Sequence, residues 1–204
     1  MWAPRLIDLS QRWSARTPPF PTDGPPVVEW VKRLATHGTN HQRITSTLHV
    51  GTHLDAPLHW NSDGGDVASI PLERLFGPAV VVDVSDVGDH GLITPEHVSA
   101  RAEVRDEDIL ILHTGYHRAY AGGAEEDVVR YFFEHPGLSA ELAQWIVAKR
   151  LRWVGMDMGS ADHPMNSNVR KLRPDLAARA EAVLGTSLET RFPPERFQIV
   201  HVTL

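Results

Sequence analysis

The sequence predicts an α/β fold, a single domain over residues 1–204 with a mixed β-sheet flanked by helices. Three apolar runs carry that expectation: Ala79–Val84, Asp108–His113 and Arg152–Asp157, each short, rich in apolar and branched residues and bounded by turn signals. Between and after them lie segments with helix punctuation: Thr94-Pro95, Ser139 followed by Glu141, and Pro174 answered by Gly185. Strands that alternate with helices build a sheet covered by its own crossovers.

In chain order, Arg5–Ser10 reads as a first strand from its branched, alternating residues. Thr17–Pro26 holds five prolines and a glycine, which marks a loop. Val27–Val31 suits strand or helix equally, and Ile44–Val50 suits a strand. Asn61–Asp66 is a turn cluster, and Ile70–Phe76 a short helix closed by Gly77-Pro78. Ala79–Val84 is continuous and β-branched, so burial on both faces is expected. Thr94 caps a helix that runs to about Ala102, and Asp108–His113 is a second buried strand. Helices are expected over Glu125–Glu134, Ser139–Arg150 and Arg173–Leu184, with a strand over Arg152–Asp157 between the last two. Phe197–Leu204 alternates like a strand and then stops, so the sequence is expected to be shortened relative to its relatives.

Composition removes several functional classes. A net charge of −6 gives no basic face for nucleic acid or an anionic membrane. No apolar run approaches the roughly 18 residues of a transmembrane helix. The first residues, Met1-Trp2-Ala3-Pro4-Arg5, lack the apolar core of a signal peptide, and the chain has no cysteine. A cytoplasmic enzyme is expected. Any metal would have to be held by histidine and carboxylate, and the chain carries twelve histidines.

Four candidate groups fall within eleven residues: His49, His53, Asp55 and His59, in His49-Val50-Gly51-Thr52-His53-Leu54-Asp55-Ala56-Pro57-Leu58-His59. A helix cannot organise them, because Gly51 and Pro57 interrupt it. Every spacing is even, and alternate side chains of an extended chain share one side, so a strand with an open turn would present all four together. Two imidazoles and a carboxylate suit Zn²⁺ or Mn²⁺, with a position left for water whose pKa falls towards about 7, supplying hydroxide at neutral pH. His59 could ligate, or could stand off the metal and carry protons. Burying four such groups unpaired in a core would cost several kcal/mol, which weighs against a purely structural cluster.

The pattern His-x-Gly-Thr-His-x-Asp-x-Pro-x-His resembles the signature of the putative cyclase family, which includes bacterial kynurenine formamidases, isatin hydrolases and related amide or lactone hydrolases. Looser similarity extends through the first strand, Ala79–Asp83, His113-Thr114-Gly115 and Gly155-Met156-Asp157. The resemblance implies an α/β, swivelling β/β/α-like domain that forms homodimers or higher homo-oligomers, with one or two zinc or manganese ions. It implies that His49, His53 and Asp55 are ligands, with Asp55 bridging, and that His59 moves the proton. His201 is similar to a late-strand histidine that serves the second metal; its usual partner, a glutamate about a dozen residues on, would fall beyond Leu204.

The expected substrate is a small aromatic amide, formamide or lactam. N-formylkynurenine-type hydrolysis comes first, isatin-like lactam or lactone opening second, and a catalytically silent metal-binding or interaction protein is the rival from another class. Trp60, Phe20 and His163 are candidate substrate contacts. His113 and Asp162-His163 lie where strands end, a common place for site residues. Asp157 is expected to orient a loop, and His90, His97, His117 and His135 to lie on the surface.

Overall fold

β-Branched and aromatic residues set the first regular element. Val27-Val28-Glu29-Trp30-Val31-Lys32 forms β1 (Val27–Lys32), which pairs antiparallel with β2 (His41–Thr45) so that Val28 faces Ile44 and Trp30 faces Gln42. The computed structural model describes residues 5–120, 122 and 126–193. Its chain divides into two units, Met1–Leu54 and Asp55–Leu204.

In the first unit a single turn, α1 (Leu34–His37), links the two strands and closes on Gly38 at φ 72°. The ribbon buries little: Trp30, Val31 and Ile44 all remain exposed, with the Arg33 guanidinium over the Trp30 ring at 4.3 Å. The strand expected over Arg5–Ser10 is not formed. Leu6 is 91% exposed and Ile7 and Leu9 are also open, so alternation found no partner strand among the described residues. The second expected strand ends at Thr45, not Val50, and Val50 instead makes an isolated antiparallel bridge to Pro19 in the proline loop.

The second unit is the α/β body. β3 (Ala79–Asp83), β5 (Ile109–His113) and β7 (Val154–Met156) form a parallel sheet in the order β3-β5-β7, and a small parallel pair joins β4 (Leu92–Ile93) to β6 (Gly137–Leu138). α2 (Pro95–Ser99) lies between β3 and β5 in sequence, and α3 (Ala140–Ala148) between β5 and β7. Pro95 opens α2 at its first position, while Thr94 N donates to His97 Nδ1 at 3.1 Å. Ser139 caps α3 by accepting from Leu142 N at 3.1 Å. Val82, Leu110 and Leu112 of the sheet pack with Val98, Leu142 and Ile146 of these helices in one core.

β3 departs from the expected two-sided burial. Among the described residues it is an edge strand of the sheet, and Val82 is buried while Val81 is 64% exposed. β5, in the centre, is the buried one. The helix expected over Glu125–Glu134 is shorter, a π-turn at Arg130–Glu134 that stops before Pro136, whose ring forces His135 into extended backbone. Ile70–Phe76 contains only the 3₁₀ turn Leu72–Arg74.

Beyond β7, α4 (Val169–Leu172), α5 (Pro174–Leu184) and α6 (Leu188–Arg191) build a second cluster from Met165, Leu176, Ala180 and Leu188. α5 ends on Gly185 at φ 65°, as Pro174 and Gly185 predict. Phe197–Leu204 lies outside the described residues. Among the described residues no helix is long and apolar enough to cross a membrane.

Candidate metal centre

The histidine-rich motif is anchored by what precedes it. Val50 is buried at 5% exposure and pinned to Pro19, and Gly51 then turns the chain with φ 74°. A side chain at Gly51 would be strained by that angle and would meet the Trp13 ring at 3.2 Å. Thr52 Oγ1 accepts from Gln11 N at 2.8 Å and ties the turn to the segment before it.

This turn replaces the extended geometry that even spacing suggests; residues 51–56 form no strand. The two imidazoles still meet. His49 Nδ1 and His53 Nε2 lie 3.1 Å apart, with the rings edge-on at a 77° interplanar angle. His53 Nδ1 faces the Gly51 carbonyl oxygen at 2.8 Å, and a carbonyl can only accept, so the proton sits on Nδ1. The Nε2 lone pair therefore points toward His49. A backbone carbonyl holding the far nitrogen is how metal-binding histidines are usually oriented. This donor set fits a borderline divalent cation such as Zn²⁺ or Mn²⁺.

The second unit begins at Asp55, an exposed carboxylate. Ala56 is extended and Pro57 opens the 3₁₀ turn Pro57–His59. The turn cluster after it folds back, with Leu58 N donating to Gly65 O at 3.1 Å and Asn61 N to Pro57 O at 3.0 Å. Gly64 permits that approach, since a Cβ there would lie 2.7 Å from the Pro57 carbonyl carbon. His59 is solvent-facing and packs edgewise on Trp60, ring centroids 4.4 Å apart.

Phe20 and Trp60, expected substrate contacts, are 38% and 51% exposed. His163 is not open to a ligand in this structure. It is 1% exposed, its Nε2 donates to His90 O at 2.9 Å and its Nδ1 accepts from Met165 N at 3.1 Å. Burial pushes its pKa down to about 3. His201 lies outside the described residues. His90 and His135, expected on the surface, are each 1% exposed, because the loops before β4 and β6 close on each other, with His90 N donating to Glu134 O at 2.8 Å.

Asp157 does orient a loop. Its Oδ1 accepts from Thr114 N at 2.6 Å and Thr114 Oγ1 at 2.7 Å, and its Oδ2 accepts from Gly115 N at 2.9 Å and His117 Nδ1 at 2.7 Å. Burial alone would raise this carboxyl's pKa, but the hydrogen bonds from Thr114, His117 and Gly115 outweigh it and hold it below the usual range. The role of His117 was not legible as a surface histidine. The signal available was its spacing of four from His113 across Gly115, at a strand end.

A family model described as Putative cyclase matches residues 7–163. The kynurenine formamidase of Bordetella avium (strain 197N) is 29% identical over 187 residues, covering 89% of this chain and 84% of that protein. The kynurenine formamidase of Bacillus cereus (strain ATCC 14579) is 32% identical over 160 residues, covering 76% of this chain and 69% of that protein. Among solved structures, isatin hydrolase A from Labrenzia aggregata bound to benzyl benzoate matches with a TM-score of 0.68 at 22% identity, covering 89% of this chain and 78% of that one. An isatin hydrolase bound to the product analogue thioisatinate matches with a TM-score of 0.69 at 17% identity, covering 97% and 75%. At these identities the solved structures establish the shared α/β fold.

Proposed function

Because the chain belongs to the putative cyclase family, we propose that it is a metal-dependent hydrolase of an amide C–N bond, with an aromatic formamide of the N-formylkynurenine type as its first substrate class. The observation that carries this reading is the His49–His53 pair, whose nitrogens face each other at 3.1 Å within a motif of the family type. The kynurenine formamidase relatives supply the substrate class.

His49, His53 and Asp55 hold the ion, with His201 as a further ligand if a second ion binds. When bound, Zn²⁺ or Mn²⁺ supplies Lewis acidity that polarises a carbonyl and lowers the pKa of water. The chain's own groups do the rest. An imidazole nitrogen of His59 takes a proton from the attacking water and delivers it to the leaving nitrogen, which otherwise departs as a poor anionic leaving group. The Gly51 carbonyl keeps the proton of His53 on Nδ1 and so leaves Nε2 as the unprotonated nitrogen. Trp60, beside His59, and Phe20 offer apolar surface to an aromatic substrate.

The proposal takes residues 1–204 as one hydrolase domain acting in a homo-oligomer. Supporting the oligomer, the two-stranded ribbon of the first unit leaves Val27, Trp30, Val31 and Ile44 exposed, and an isolated two-stranded ribbon is marginally stable in water. A chain with no cysteine suits a reducing cytoplasm.

The test is metal content per chain followed by ultraviolet assays with N-formylkynurenine and isatin. Turnover of formylkynurenine that a chelator removes and added Zn²⁺ or Mn²⁺ restores is the expected result. Turnover of isatin alone would move the substrate to the lactam class. Full activity in a metal-free preparation would overturn the metal assignment, and a metal-loaded chain inert to both substrates would favour a silent binding protein.

A further inference from the structure

A second set of metal-type donors lies at the carboxyl edge of the β3-β5-β7 sheet, wholly inside the second unit. Parallel register places Asp83 level with His113 and Met156 level with Leu112, so Asp157, one residue past β7, falls beside His113. His117 is added by the 3₁₀ turn Tyr116–Ala119 that follows β5. One donor atom from each of His113, His117 and Asp157 lies within 4.8 Å of the others.

The finer distances converge on one oxygen. Asp157 Oδ2 is 2.7 Å from His117 Nδ1 and 3.9 Å from His113 Nε2. Donors that share one zinc at about 2.0–2.2 Å sit roughly 3.0–3.6 Å apart, so one spacing is about 0.3 Å short and the other about 0.3 Å long, and small side-chain shifts would admit the ion. The surroundings are already arranged. Thr114 and Gly115 fix the Asp157 carboxylate, and Asp83 Oδ1, 3.5 Å from His113 Nδ1, turns the other nitrogen of that ring toward Asp157. Asp83 is itself held by the Ser85 hydroxyl at 2.6 Å and the Ser85 amide at 3.0 Å. The His113 and His117 side chains are 37% and 41% exposed, so a hydrated ion has access and an open position would remain. Two carboxylates beside two imidazoles make a donor set suited to a divalent cation.

We propose that His113, His117 and Asp157 form a divalent-cation site for zinc or a similar first-row ion, separate from the His49–His59 motif, with Asp83 as a positioning residue. Occupancy clips the turn after β5 to the end of β7. The proposed hydrolysis uses none of these groups, so the inference stands or falls without it.

The chelator-stripped full chain is dialysed against Zn²⁺ and the bound metal counted, alongside His113→Gln/His117→Gln and His49→Ala/His53→Ala variants. The expected result is that the His113→Gln/His117→Gln chain saturates one zinc lower than the parent, while the His49→Ala/His53→Ala chain retains that zinc. Asp83→Asn should weaken this zinc by about 10- to 100-fold without changing the count. Equal saturation of the parent and a folded His113→Gln/His117→Gln chain overturns the proposal. Carbethoxylation of the unmutated chain gives an answer independent of variant folding. Zinc should slow modification of His113 and His117, and protection confined to His49 and His53 overturns the site.

Discussion

The molecule uses histidine in two opposite ways. In the motif, His53 and His59 face solvent, and the nitrogens of His49 and His53 meet at 3.1 Å with the far nitrogen of His53 fixed by a carbonyl. In the second unit, His90, His135 and His163 are each 1% exposed. His163 is spent on backbone groups, and His135 Nδ1 donates to Pro136 O at 2.6 Å. Among the described residues neither nitrogen of His90, both buried, has a hydrogen-bond partner, and the residue also adopts φ 57°. An orphaned buried polar group costs about 1–3 kcal/mol. Histidine count therefore says little here. An exposed ring can bind and exchange, whereas a buried neutral ring only sets the conditions under which the fold survives.

Among the exposed rings, His59 carries the greatest catalytic weight in the proposed hydrolysis. His59→Ala should lower kcat on the preferred substrate by about 10²–10⁴-fold while metal content stays at the parent value. Elemental analysis beside steady-state kinetics reads both quantities. Loss of metal together with activity would make His59 a ligand and erase the division of labour within the motif.

The buried group predicts acid sensitivity next. Burial pushes His135 down to about 4 and His163 down to about 3, and holds His90 below its usual value despite the neighbouring Glu134 and Asp89 carboxylates. An unfolded histidine titrates near 6.5, so from there down to about 4 the unfolded chain binds more protons and stability falls as pH falls. Asp162 opposes this: burial lifts its carboxyl to about 6, so between about 4 and 6 the folded chain holds one extra proton there. Two to three histidines against one carboxylate leave a net loss toward low pH, and each tenfold difference in proton affinity is worth about 1.4 kcal/mol. Urea midpoints measured from pH 7 to pH 4.5 should decline steadily, and His135→Phe should flatten the slope. A profile flat across that range would mean these rings gain solvent before they gain protons.

How much of this was legible in the sequence follows from what each feature depends on. Local chemistry read well: Ser139 as a cap, Pro174 and Gly185 as the limits of α5, and the apolar runs of β3, β5 and β7. Partnership did not. Leu6, Ile7 and Leu9 alternate like a strand but pair with no strand among the described residues, and nothing local tells that β3 lies at an edge of the described sheet. His90 and His135 looked like surface residues because burial there comes from two loops closing together, contacts some forty-five positions apart in sequence. The motif's residues were legible as a chemical set, but their geometry was not. Even spacing suggested an extended chain, and one glycine in the left-handed region replaced it with a turn.

That glycine gives the smallest effect and the sharpest test of how the exposed pair is arranged. In Gly51→Ala the new Cβ lies 3.2 Å from the Trp13 ring, at a φ of 74° that L-residues rarely adopt. Strain of this kind costs about 1–3 kcal/mol, which the turn can relieve only by moving the Gly51 carbonyl. That carbonyl holds the Nδ1 proton of His53, so the strain reaches the metal through the orientation of one ring. A modest fall in thermal midpoint should therefore come with a larger fall in zinc affinity by titration. If affinity is unchanged while stability drops, the ion itself orients His53, and the exposed pair is organised by its ligand, not by the fold that displays it.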